Sequence, residues 1–177
     1  HEVEIGENDR AHYSQRTVDF EFDYPFGQKE LFGLAYRGDY DLIKHAEASK
    51  TKLQYTDPVA NETFVPHIIE PSMGLDRTIL AILASAYTED EIDGNTRLYL
   101  ALNPLVAPYK IAVSPLVKNK EYIVNEANRV FGQLKAEFGN VSWDDNGNVG
   151  KRYRRQDEIG TPFCVVVDYD TLEEGHA

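Results

Sequence analysis

A single cysteine, Cys164, leaves the chain with no internal disulfide and no cysteine-rich zinc site. A reduced, cytoplasmic setting is the expectation that follows. No apolar run approaches the roughly 20 residues that span a bilayer, and no signal peptide opens the chain. Neither a membrane partner nor secretion is therefore expected. The one methionine is Met73; the chain opens on His1, which reads as a truncation. Cations are also scarce: 18 Lys and Arg stand against 30 Asp and Glu, a formal net charge of −12. That balance excludes general binding of polyanions over the surface. It does not exclude one local patch, because Lys151, Arg152, Arg154 and Arg155 crowd together.

What is present is enough apolar material for a core, 42% of 177 residues, in one large or two small domains. Residues 9–16 are expected to end a helix. Thr17 to Tyr24 alternates, with Val18, Phe20, Phe22 and Tyr24 on one face and Asp19, Glu21 and Asp23 on the other, which is a half-buried strand. A turn at Pro25 to Gly27 leads to a second, antiparallel strand over Glu30 to Arg37. A short helix follows over Tyr40 to Ser49. Thr63 to Glu70 is expected to be a strand ending at Pro71, and residues 76–88 a helix apolar nearly all round and so deeply buried. Residues 88–97 break the pattern, and two prolines in residues 98–108 mark a domain boundary. Beyond it come a strand at residues 109–113, a helix at 120–138 ended by Gly139, a strand at 141–143, a helix at 151–159 and a strand at 163–169. That alternation is an α/β domain with a mostly parallel sheet.

The most informative stretch is Pro66 to Arg77, PHIIEPSMGLDR, followed by an apolar helix. A strand ends in the carboxylate of Glu70. A Pro-Ser turn follows, then a glycine, then a helix with Arg77 in its first turn. A cation there opposes the helix dipole, so Arg77 calls for an anionic partner, which free backbone N–H groups would help to hold.

This string resembles motif 3 of the class II aminoacyl-tRNA synthetases, and its Glu-Pro-Ser form resembles the glycyl-tRNA synthetases. The resemblance implies that Glu70, Pro71, Ser72, Met73 and Gly74 form the glycine site, with Glu70 and Ser72 holding the ammonium. It implies that Gly74, Leu75, Asp76 and Arg77 contact ATP, with Arg77 on the phosphates and, with Glu70, catalytic. Glu30 to Leu42, ELFGLAYRGDYDL, is similar to a core-strand segment of the same family. By that match Glu30 and Leu31 lie beside ATP, and Glu30 is a candidate ligand for the Mg²⁺ that accompanies it, since Mg²⁺ prefers hard oxygen donors. Arg37 and Asp41 are either functional or an internal ion pair. Gly150 to Val166, GKRYRRQDEIGTPFCVV, resembles the anticodon-binding domain shared by the glycine, threonine, proline and histidine enzymes. Lys151, Arg152, Arg154 and Arg155, interleaved with Tyr153, would contact tRNA by charge and stacking. A solvated helix face, with Asp157 and Glu158 neutralising the cations, is the competing reading.

The resemblance implies two regions: residues 1–100 as the C-terminal part of an antiparallel class II catalytic core, and residues 101–177 as an α/β anticodon-binding domain, incomplete at its C-terminus. It implies a homodimeric parent that activates glycine with ATP and transfers it to tRNA(Gly), the family's motifs 1 and 2 lying before His1. The segment alone is expected to be inactive. A non-catalytic paralogue, such as a polymerase accessory subunit, is opposed by Glu70, Ser72 and Arg77 standing together. A synthetase for threonine, proline or histidine is opposed by the Glu-Pro-Ser string. Sequon-like Asn61 and Asn140, a calcium-loop-like run at Asp144 and the scattered histidines carry no assignment, and Cys164 reads as a core residue.

Overall fold

The computed structural model describes residues 1–92 and 94–174. They fall into two compact units, His1–Ala84 and Ser85–Ala177.

The first unit is built on an antiparallel sheet. Its strands are β1 (Glu2–Glu4), β2 (Arg16–Tyr24) and β3 (Gly27–Gly38); after α1 (Tyr40–Ser49) and the small hairpin β4 (Tyr55–Asp57) and β5 (Glu62–Phe64) comes β6 (Ile68–Met73). The order is β1-β2-β3-β6. β2 folds as its alternation predicts, with Val18 and Tyr24 buried on the apolar face and Phe20 stacked on Phe32 of β3 at 4.5 Å between centroids. Residues 9–15 form turns and bends, and Arg16 already opens β2, where the end of a helix is expected over residues 9–16. Arg10 N and Asp9 N both donate to Gly6 O, and Ser14 N to Ala11 O, so the local bonds close tight turns instead of a ladder.

The strand expected over residues 63–70 is two pieces, and the second runs on through Pro71 and Ser72 to Met73. The sharp Pro-Ser turn is therefore absent. Pro71 pairs with Leu34, Ser72 with Gly33 and Glu70 with Ala35. A proline, which cannot donate to a ladder, is accommodated because β6 is an edge strand. α2 (Leu75–Ala86) then starts directly after Gly74. It is not deeply buried: Ala81 and Ala86 are covered, while Leu75, Ile79, Leu80 and Leu83 are exposed.

In the second unit, the acidic stretch expected to be irregular is a hairpin of β7 (Tyr87–Ile92) and β8 (Asn95–Leu100). Asp90 and Arg97 pair across it, Arg97 Nη2 donating to Asp90 Oδ2 at 2.5 Å. β9 (Ile111–Pro115), α3 (Glu121–Phe138), β10 (Val141–Trp143), α4 (Val149–Ile159), β11 (Phe163–Val167) and α5 (Tyr169–Glu174) complete the unit. The three strands are parallel, in the order β10-β9-β11. β9 is buried along its length because it is the central strand, and α3 lays Ile123 and Ala127, both fully buried, against Val167. α4 packs on β8, so the hairpin at residues 87–100 adheres to this unit rather than to the preceding sheet.

Candidate functional site

The antiparallel register of the first unit sets out a ligand-sized face. Thr17, Ala35 and Glu70 form one cross-strand row; Asp19, Gly33 and Ser72 form the next. Side chains alternate between faces, so both rows point the same way. Glu30 joins them through an irregularity in β3. Phe20 pairs with Phe32 but Glu21 pairs with Glu30, which leaves Leu31 as an extra residue. Without that bulge, alternation from Gly33 would aim Leu31 at this face and Glu30 away from it. The bulge brings the Glu30 carboxylate over Gly33, where a Cβ would meet Glu30 Oε1 at 3.4 Å and Asp19 Oδ1 at 3.2 Å.

These residues line an open cavity of about 400 Å³. Its floor is Gly33 and Ala35. Its walls carry Asp19, Glu30, Glu70 and Ser72, with Arg10 and Tyr13 from the turns of residues 9–15. Glu70 is held by Arg37 Nη1, and Arg37 also donates to both oxygens of Asp41, at 2.6 and 2.7 Å. The Arg37 guanidinium lies 3.8 Å from the centre of the Tyr13 ring. Arg37 and Asp41 therefore form an internal ion pair, and the pair orients a site carboxylate. Hydrogen bonding from Arg37 holds Asp41 below the ordinary carboxylate range, and the same bonds raise Arg37. Asp19 is shifted the other way: partial burial, then the like charges of Glu30 and Glu21, push it up.

Arg77 does not line the cavity, but it is tied to its edge. Its Nη1 donates to the Glu30 carbonyl at 2.7 Å and lies 3.4 Å from Glu30 Oε2. Tyr24 Oη donates to the Arg77 carbonyl at 3.2 Å, which fixes the first turn of α2 against β2. Pro71, Met73, Gly74, Leu75 and Asp76 are exposed, and Leu31 is partly buried in the bulge. Among the described residues no group of three metal-ligating side chains comes together.

The four cations of the second unit separate sharply. Arg152 is buried, and its guanidinium donates to the carbonyls of Pro115, Asp145 and Gly147. Arg155 grips Asp144 with two bonds of 2.8 Å and donates to Asn146 O. Both hold the loop between β10 and α4. Lys151 and Arg154 are exposed, with Arg154 in a loose 3.7 Å pair with Glu158, and Tyr153 is also exposed. Asn148 caps α4, accepting from Lys151 N at 2.9 Å. Burial raises Cys164, as expected for a core thiol.

Residues 110–177 match a family model described as an anticodon binding domain. Along 96% of its length the chain is 49% identical to the glycine–tRNA ligase of Clostridium perfringens. The chain is a homologue of the glycine–tRNA ligases. It is 50% identical over 91% of its length to the ligase of Caldanaerobacter subterraneus, and 51% identical over 92% to that of Mesoplasma florum. It spans 37%, 34% and 36% of these three relatives, about a third of their length. The fold is that of a class II tRNA synthetase: the Giardia lamblia prolyl-tRNA synthetase, solved in complex with prolyl-adenylate, superposes with a TM-score of 0.70 over 99% of the chain at 19% identity, covering 34% of that protein. Homology to the ligases thus covers both the sheet that carries Glu30, Glu70 and Ser72 and the helix that carries Lys151 and Arg154.

Proposed function

We propose that a protein of the relatives' full length carrying this segment is a glycine–tRNA ligase, activating glycine with ATP to glycyl-adenylate and passing the glycyl group to tRNA(Gly). The observation that carries this reading is the gathering of Glu30, Glu70 and Ser72 around one cavity, with Arg77 tied to Glu30 at its edge. Glu70 and Ser72 accept from the glycine ammonium, and Arg37 holds the Glu70 carboxylate in place. Backbone from Pro71 to Gly74 borders the amino acid. Leu31, Leu75 and Asp76 flank the nucleotide, and Arg77 balances phosphate charge, the type of contribution that dominates such group transfers. Mg²⁺ is commonly held by one or two carboxylates together with substrate phosphates, so Glu30 fits a role beside Mg²⁺–ATP although no all-protein metal cage is present among the described residues.

Residues 1–100 belong in this reading to the catalytic core and residues 101–177 to the anticodon-binding region. Lys151 and Arg154, with Tyr153 between them, are the groups available to tRNA phosphates and bases. Arg152 and Arg155 shape the loop that presents them. The protein acts in the cytoplasm as a homodimer. No described helix is long and apolar enough to cross a membrane. ATP–pyrophosphate exchange by the full-length protein with glycine, alanine, proline, threonine and histidine tests the assignment. Exchange with glycine alone is expected, and exchange with another of the five and not glycine overturns it.

A further inference from the structure

The run from Asp144 to Asn148 contains the only asparagine of the chain that is followed by glycine, Asn146-Gly147. Both residues are exposed, in the loop between β10 and α4. Among the described residues, neither the Asn146 side chain nor the Gly147 N–H has a hydrogen-bond partner. The carbonyl of the peptide unit that joins them is held. Arg155 Nη2 donates to Asn146 O at 2.7 Å. The same guanidinium occupies both oxygens of Asp144, so the nearest carboxylate is already neutralised. A peptide nitrogen becomes a nucleophile as it gives up its proton, and the charge left behind is shared with the carbonyl oxygen of its own unit. A guanidinium on that oxygen stabilises the charge. Glycine places no Cβ beside the attacking nitrogen, and Gly147 stands at φ of +70°, where a residue with a Cβ is strained.

We infer that Asn146 is a site of spontaneous deamidation, primed by Arg155, and that its products loosen the start of α4 and so weaken tRNA binding, the last step resting on the ligase reading above. Gly147 N gives its proton to solvent hydroxide and attacks Asn146 Cγ. The Cγ–N bond forms, the Cγ–Nδ2 bond breaks, and the amide nitrogen takes a proton from water and leaves as ammonia. Water then opens the cyclic imide. Opening at Cγ gives aspartate, and opening at the main-chain carbonyl carbon gives isoaspartate. Either product adds a negative charge just ahead of Lys151. Isoaspartate also lengthens the main chain by a carbon and turns the carbonyl that Arg155 holds into a free carboxylate. That carboxylate competes with Asp144 for Arg155. The longer chain also displaces Gly147 O, which accepts from Arg152 Nη2 at 2.8 Å, and Asn148, which caps α4.

The test incubates the full-length protein at mildly alkaline pH and follows deamidation and isoaspartate at each asparagine by peptide mapping. Asn119 and Asn140 are internal standards: both are exposed, lie outside helix and strand, and are followed by Lys and Val. Asn146 should convert at least roughly tenfold faster than either, the cost of a Cβ expressed as a rate. It should also convert no more slowly than in a free peptide of residues 143–151, which lacks Arg155. Conversion at the rate of the standards, or clearly slower than in the peptide, overturns the inference. Converted wild type should bind tRNA about three- to tenfold more weakly than fresh protein. Asn146→Asp should lose less, because it adds the charge without lengthening the chain. Asn146→Ser, aged alongside, should keep its affinity. No loss in the converted wild type, or an equal loss in aged Asn146→Ser, overturns the inference. Glycine-dependent ATP–pyrophosphate exchange should be the same before and after conversion. If fresh wild type neither exchanges pyrophosphate with glycine nor binds tRNA, the ligase reading fails and the tRNA step falls with it, while the mapping still decides the modification. Normal exchange with an Asn146 that does not convert removes only this inference.

Discussion

Arg77, in the first turn of α2, hydrogen-bonds the backbone carbonyl of Glu30 at 2.7 Å, joining two residues far apart in sequence at the edge of one cavity. The bond goes to the carbonyl rather than the carboxylate, which stays 3.4 Å away. The guanidinium is therefore positioned by the β3 backbone while half of its side chain remains exposed. A cation so held can meet a phosphate without first breaking a tight ion pair.

Arg77→Ala should accordingly abolish glycine activation while leaving tRNA affinity intact. One well-placed donor to a developing charge is worth roughly 3–4 kcal/mol, or a factor of about 10²–10³ in rate. ATP–pyrophosphate exchange and tRNA binding, measured on the same full-length variant, check the split.

The Arg37–Asp41 pair makes acid sensitivity readable. Arg37 holds Asp41 below its unfolded value, so Asp41 contributes stability that is fully present above the unfolded carboxylate pKa of about 3.9 and is lost as pH falls through the lower folded value. Asp41→Asn should lower the urea midpoint at pH 6 and flatten its further fall toward pH 3. A parallel downward shift at every pH would show that the pair contributes nothing through ionisation.

Gly160 ends α4 with φ of +73°, and a Cβ there would lie 2.6 Å from Leu102 Cδ1 and 3.0 Å from Leu100 Cβ. Gly160→Ala meets both a left-handed backbone and an overpacked neighbour. A loss of about 2–4 kcal/mol in denaturant unfolding is expected, whereas Gly132→Ala inside α3, where the added Cβ has open space, should gain roughly 0.5–1 kcal/mol.

Much of this architecture is legible in the sequence. Alternation identifies β2 and its apolar face, and the Pro66 to Arg77 string locates the site. What stays hidden are departures from period. The Glu30 bulge inserts one residue, and nothing local in Glu30-Leu31-Phe32 signals it; only pairing with β2 reveals which of the three faces the cavity. Asp19 is hidden for the same reason, since on β2 it reads as one polar residue among three. The β7–β8 hairpin does carry a signal, Asp93-Gly94 between alternating runs, which the density of acids obscures. Proline at position 71 suggests a turn because sequence alone cannot say that β6 lies at an edge. The four clustered cations look equivalent along the chain, and only tertiary structure divides them.

That division gives the last prediction. Arg152 is 5% exposed, with its guanidinium on three backbone carbonyls, so removing it leaves the buried Pro115 carbonyl unpaired and frees the loop at Asp145 and Gly147. Arg152→Ala should cost about 2–4 kcal/mol of stability, and any loss of tRNA affinity should track unfolding. Lys151 and Arg154 carry no such structural duty. Reversing both to Glu should leave the unfolding midpoint within roughly 0.5 kcal/mol, weaken tRNA binding and flatten its dependence on salt, because each cation withdrawn from a phosphate takes with it the release of a condensed counterion. Adenylate formation needs nothing from α4 and should persist in the double variant. Thermal unfolding, tRNA binding at two salt concentrations and ATP–pyrophosphate exchange separate the two classes of cation. An unchanged salt slope in the Lys151/Arg154 variant would move the tRNA interface off this helix face altogether.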